Sequence, residues 1–183
     1  MIFALSTFKS VSQKKRTLVS LTLAVTVFLF LLSTQATADM FGLFKKYDVH
    51  LSPEVHGVIT NQGKPVAGLK VFRGLTYGDD KEILDETLTD DEGRFNFAEK
   101  NIRSRKPGSM FDESRIRQVV FTKNENKDAM LWYTQAIGIE PNKALTERLQ
   151  KLHCELTNSE EEFEFDSVEY PQAGYLVHSI CRW

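Results

Sequence analysis

The chain has 183 residues, 42% of them hydrophobic and 26% charged, which suits one domain plus a processing segment and excludes wholesale disorder. Residues 1–38 hold four of the 23 basic side chains and none of the 25 acidic ones, so the remainder is net acidic. A domain of that sign is not a general polyanion binder, and nucleic acid is not an expected partner.

Three parts make up the first forty residues. Lys14-Lys15-Arg16 is basic, Leu18 to Leu32 is an uncharged apolar run, and Ser33 to Ala38 turns small and polar, ending in Ala-x-Ala. That order is the secretory leader pattern, with cleavage expected after Ala38. At 1.5 Å per residue the apolar run spans about 22 Å, short of the roughly 30 Å hydrocarbon core. An uncleaved anchor through residues 18–32 is the alternative, with the domain outside the cytoplasm either way. A start at Met40 is a further one. The expected organisation is a leader over 1–38 and one domain over 39–183. The expected location is periplasmic or secreted, or, if uncleaved, anchored in the inner membrane facing the periplasm.

Residues 39–52 form an amphipathic lead-in, either a short helix or an edge strand. Val55 to Thr60 reads as a strand, Asn61 to Pro65 as a turn, Val66 to Leu75 as a second strand and Ile83 to Thr89 as a third. Asp90-Asp91-Glu92-Gly93 turns into Arg94-Phe95-Asn96-Phe97, whose two Phe residues share a face at period two. Short strands punctuated by turns every 8 to 12 residues predict a sandwich.

Ile102 to Arg117 reads as an irregular basic loop. Its Arg103, Arg105, Lys106, Arg115 and Arg117 are the candidate anion-binding set, because Arg forks grip phosphate and carboxylate. The competing reading is a solvated loop paired to Asp112, Glu113 and nearby acids. Ile116 to Thr122 and Ala129 to Ile139 are expected strands, the latter buried. Pro141 to Leu149 is an expected helix, with Pro at its first position and Leu145 and Leu149 on one face. Leu152, Cys154 and Leu156 alternate as a core face, Asn158 to Glu162 is an acidic turn, and Phe163 to Tyr170 and Tyr175 to Trp183 are final strands.

Cys154 and Cys181 are the only cysteines. In an oxidising compartment they can bridge; otherwise they are buried thiols. His50, His56, His153 and His178 show no metal-ligand spacing, so no metal and no cofactor is expected. Asp79-Asp80 and Asp90 to Gly93 read as turns rather than calcium loops. Ser104, Ser109 and Ser114 lack a nucleophile elbow. Trp132, Tyr133 and Trp183 either stack on sugars or pack in the core.

The segments V-x-G-V-I-T-x-x-G-K-P-V-A-G-L-K-V and T-D-D-E-G-R-F-N-F, between Val55 and Phe97, resemble the carboxypeptidase regulatory-like, or transthyretin-like, β-sandwich domain. The resemblance implies that fold, with residues 53–98 as its motif region, and brings no catalytic residues. From Phe41-Gly42-Leu43-Phe44 to Lys106-Pro107-Gly108 the chain also resembles an uncharacterised bacterial domain family of unknown function. The resulting expectation is a mostly-β, transthyretin-like (immunoglobulin-like) sandwich with additional C-terminal strands and one short helix. Its expected role is a non-enzymatic binding or assembly module of the cell envelope, whose partner is an envelope protein or anionic envelope component. A hydrolase acting on an envelope polymer is the rival.

Overall fold

The computed structural model describes residues 15, 17–29, 45–78, 80–107, 114–124 and 127–183. The chain divides into two compact units, Met1–Lys45 and Lys46–Trp183.

In the first unit residues 17–29 form helix α1. Its apolar side chains, Leu18, Leu21, Leu23 and Phe28 among them, are exposed. The two threonine hydroxyls in the run turn back on the helix: Thr22 donates to the carbonyl of Leu18 and Thr26 to that of Thr22. This leaves the helix surface apolar despite the threonines. Among the described residues no helix is long and apolar enough to cross a membrane. Ala38 and the expected cleavage point lie outside the described residues.

The second unit is a mostly-β sandwich. Its strands are β1 (Tyr47–Ser52), β2 (Val55–Asn61), β3 (Lys64–Pro65), β4 (Lys70–Tyr77), β5 (Ile83–Leu88), β6 (Arg94–Phe97), β7 (Lys100–Ser104), β8 (Arg115–Asn124), β9 (Lys127–Ile137), β10 (Leu152–Glu155), β11 (Glu161–Asp166), β12 (Gly174–Ser179) and β13 (Cys181–Arg182), with helix α2 (Lys143–Leu149) between β9 and β10. One sheet runs β11-β12-β9-β8-β4-β5. A second runs β13-β10-β2-β3, with β6 also paired to β2, and β1 pairs β7 alone.

Period-two burial closes the sheets over one interior. Val71, Leu75, Ile116, Val120, Trp132 and Val177 from the large sheet share a core with Val55, Ile59, Phe95, Phe97, Leu152 and Cys154 from the smaller one. Three polar side chains on the large sheet's inner face donate to backbone carbonyls. Thr122 donates to the Lys70 carbonyl, Thr134 to that of Leu176, and Gln118 to that of Leu51.

Two glycines of the motif region are dictated by this packing. At Gly57 a Cβ would sit 2.5 Å from the Phe95 ring, its cross-strand partner. At Gly93 (φ 72°) a Cβ would sit 2.4 Å from the Ile59 carbonyl oxygen.

Several sequence expectations need correction. The second strand begins at Lys70, not Val66. Gly68 (φ 67°) turns the chain from one sheet to the other there, and Pro65 itself pairs with Thr60. The two ends of the expected basic loop are strand: Ile102 and Arg103 lie in β7, opposite Val49 and Asp48 of β1, and Arg115 and Arg117 begin β8. β7 has one apolar residue, Ile102, and none of its residues is fully buried, so its alternation does not stand out in the sequence. Asp112 and Glu113, the expected partners, lie outside the described residues.

Helix α2 starts later than expected. Asn142 is its N-cap, accepting from the Leu145 N–H, and Pro141 stands one residue before the cap. The expected acidic turn at Asn158 to Glu162 gives way to strand at Glu161, and the next strand stops at Asp166 rather than Tyr170. The last expected strand is broken at Ile180. β12 stays in the large sheet, while β13 crosses to pair β10 in the smaller one. Edge strand β11 presents Glu161, Glu162, Glu164 and Asp166 to solvent, while Phe163 and Phe165 are half-buried.

Candidate functional site

A groove of about 450 Å³ lies over β2, β6 and the start of β10. The sequence folds this way because β2 reads Val-His-Gly-Val-Ile, with Val55, Gly57 and Ile59 directed inward and His56 and Val58 outward. Register then sets the neighbours. Val58 pairs with Arg94 on one side and His153 on the other, and His56 pairs with Asn96. Lys151, just before the Leu152–Gly57 pair, lines the groove with them. The pairing of β10 with β2 is parallel, which brings residues about a hundred positions apart onto one face.

The lining holds one acid, Asp90. Its Oδ1 accepts the backbone N–H groups of Glu92 (3.0 Å) and Arg94 (2.7 Å), so that oxygen is committed to the turn. Arg94 meets Glu92 at 3.3 Å and His56 meets Glu54 at 3.4 Å, all four side chains well exposed. Exposed pairs of this kind contribute about 0–1 kcal/mol. Asn96, Lys151 and His153 have no side-chain hydrogen bond or ion pair among the described residues.

The basic set expected from the sequence is engaged elsewhere. Arg103 faces Asp48 at 3.3 Å, Lys106 faces Asp80 at 2.7 Å, and Arg117 reaches Glu82 at 2.8 Å and the Thr76 hydroxyl at 3.0 Å. Arg105 and Arg115 are engaged as well. These residues belong to β7, β8 and the connection after β7, and the carboxylates that meet Arg103, Lys106 and Arg117 come from β1 and from residues 80–82.

Three polar constellations escaped the sequence reading. Arg73, 3% exposed, donates to Asp85 (2.6 Å) and to the Ala98 carbonyl (2.8 Å), and its guanidinium lies over the Phe97 ring at 4.8 Å. Lys100 completes the set on Asp85 at 3.2 Å. Burial raises the Asp85 carboxyl, but the hydrogen bonds and charges of Arg73 and Lys100 outweigh it and lower the pKa.

Glu155 accepts from the N–H groups of Gly63, Gln62 and Thr157 and from the hydroxyls of Thr60 and Thr157. The Gly63 N–H leads these bonds in holding its carboxyl down to about 2. Gln62 and Gly63 both have positive φ, the two-residue hairpin geometry that leaves N–H groups exposed for such an acceptor.

Asn142 donates to the Tyr175 hydroxyl (2.5 Å) and to Glu169 (2.6 Å), and Ser167 also donates to Tyr175 (3.1 Å). Burial pushes the Tyr175 phenol up.

Cys154 and Cys181 are directly opposite in register and form a disulfide. Trp132 is fully buried and Trp183 packs edge-on against it at 5.5 Å, while Phe163 meets Trp183 at 4.8 Å. Those tryptophans serve the core, and Tyr133 leans on His178 instead. Among the described residues no three His, Cys, Asp or Glu side chains converge as a metal cage.

A family described as a domain of unknown function, DUF6795, matches residues 55–159, more than half of the chain. The chain belongs to this family. No curated protein and no solved structure matched it. The whole lining of the groove lies within the DUF6795 span, as does Cys154, whereas Cys181 and strands β11 to β13 follow it.

Proposed function

We propose that the chain is an exported, non-enzymatic binding module of the cell envelope, a transthyretin-like sandwich whose ligand surface is the groove over β2, β6 and β10. The observation that carries this reading is the groove itself. It is an open, part-polar depression with donors from three strands, and its Asn96, Lys151 and His153 side chains are engaged by nothing among the described residues. Side chains mounted on strands hold their geometry better than those on loops, and His56, Arg94, Asn96 and His153 are all strand residues.

The disulfide supports an oxidising compartment, and the leader pattern of residues 1–38 supplies the route there. The transthyretin-like assignment rests on the Val55 to Phe97 motifs and on the two sheets they help to close. The glycines of those motifs meet Phe95 and Ile59 in the packing that the sandwich requires.

The test is retention of the purified exported protein on isolated envelope fractions. Retention is expected to fall at least tenfold for Arg94→Ala with Lys151→Ala, and to persist for Arg103→Ala with Arg105→Ala. Equal retention of wild type and the first variant refutes the groove as the ligand surface. An intact-mass measurement on the same material is expected to begin after Ala38; a mass that includes Met1 refutes cleavage.

A further inference from the structure

A small cavity between β1, β8 and the start of α2 brings together two buried polar side chains, His50 and Gln118. Gln118 is 4% exposed and the His50 side chain 10%. His50 Nε2 and Gln118 Oε1 have no hydrogen-bond partner among the described residues.

Neighbouring groups decide which of these atoms carries hydrogen. Asn101 donates from Nδ2 to Glu99 at 2.7 Å, so its Oδ1 is left to accept. His50 Nδ1 lies 3.0 Å from that Oδ1 and 3.3 Å from Glu99 Oε1. Both neighbours accept, so the proton of the neutral ring sits on Nδ1 and Nε2 is a lone pair. Gln118 Nε2 donates to the Leu51 carbonyl at 2.8 Å. That bond sets the orientation of the amide and makes Oε1 the acceptor left over. His50 and Gln118 therefore bring two acceptors to one place, and neither can donate to the other.

The other polar side chains on the cavity wall supply no hydrogen. Glu140 brings a carboxylate, which only accepts when ionised, and Asn142 spends its amide donors on Glu169 and Tyr175. The Gly138 N–H goes to the Ser114 carbonyl. A buried acceptor without a donor is costly, and one guest with two hydrogens answers both. The cavity encloses about 10 Å³, room for roughly one water molecule.

We propose that this cavity is the binding site of a single water molecule, which donates one hydrogen to His50 Nε2 and the other to Gln118 Oε1. β1 and β7 form a two-stranded sheet of their own. Gln118 of β8 then holds that ribbon to the large sheet twice, directly at the Leu51 carbonyl and through the water at the His50 ring.

The experiment is nitrogen-15 NMR of the His50 ring in the purified exported protein at about pH 8, above the ordinary histidine range. It is joined to high-resolution crystal structures of wild type and of His50→Phe. The ring is expected to be neutral with its proton on Nδ1. The wild-type crystal is expected to show one ordered water within about 2.7–3.2 Å of both His50 Nε2 and Gln118 Oε1. In His50→Phe that water is expected to be lost while the bond from Gln118 to Leu51 persists.

A proton on Nε2, a dry cavity in wild type, or direct contact of Nε2 with Oε1 overturns the proposal. So does a water that keeps its place in His50→Phe. Should that variant fail to fold, the two wild-type measurements decide alone.

Discussion

Removing the Cys154–Cys181 bridge should loosen the crossing of the chain from one sheet to the other. β12 ends in the large sheet at Ser179, and two residues later Cys181 pairs with Cys154 in the smaller one. β13 is only two residues long, too short to hold this crossing by its ladder alone. The cysteines are 27 positions apart, and on the chain-entropy model closing such a loop limits the unfolded state by about 3.5 kcal/mol. For a unit spanning Lys46–Trp183 that corresponds to a fall in Tm of roughly 10–15 °C. Trp183 lies just beyond the bridge, against Trp132 and Phe163, so its fluorescence reports the same region. The assay is urea and thermal unfolding of oxidised wild type, reduced wild type and Cys154→Ala with Cys181→Ala, followed by far-UV signal and by tryptophan emission. Reduced wild type and the double variant should lie close together, both well below the oxidised protein, with the emission change preceding or matching the loss of strand signal. A loss under about 1 kcal/mol, near the low end for disulfides, refutes the argument that this bridge secures the crossing.

Glu155 predicts an acid limb of known sign. Its folded pKa is depressed to about 2, so its contribution is full above the unfolded value of about 4.3 and is lost as pH falls toward 2. Glu155→Gln should flatten the stability profile in that window, measured by urea midpoints from pH 6 downward; an unchanged acid limb refutes it. Asp85→Ala should cost about 3–5 kcal/mol, because it strips the buried Arg73 guanidinium of its carboxylate; a cost under 1 kcal/mol in denaturant unfolding contradicts that assignment. Arg73→Met with Asp85→Leu should recover part of the loss, since well-packed apolar pairs replace buried ion pairs at little cost. Recovery of none would place the defect in packing around Phe97 instead.

Legibility followed locality. The turn at Asp90 to Gly93 and the strand after it were readable because Asp, Gly and alternating Phe act within a few residues. α2 was visible through Leu145 and Leu149, both buried as their spacing implies. The groove was not visible. His56, Arg94 and His153 meet only because β10 lies parallel to β2 and β6 antiparallel to it, and no short spacing encodes a parallel neighbour. Arg73 was missed because it occupies an inward position that the pattern reserves for an apolar residue; Asp85 and the Ala98 carbonyl, 12 and 25 residues later, make it tolerable. The basic set between Arg103 and Arg117 drew attention as a charge run, yet its counterions sit upstream, in β1 and just after β4.

The row of carboxylates along β11 has a consequence for life at high concentration. A strand rim offers unpaired amides to any passing copy of itself. Here two molecules approaching rim to rim would bring Glu162, Glu164 and Asp166 of each close together, and like charges across a ladder repel. That border of the molecule is thereby closed to fibril-like growth, leaving Phe163 and Phe165 to serve the interior of their own copy.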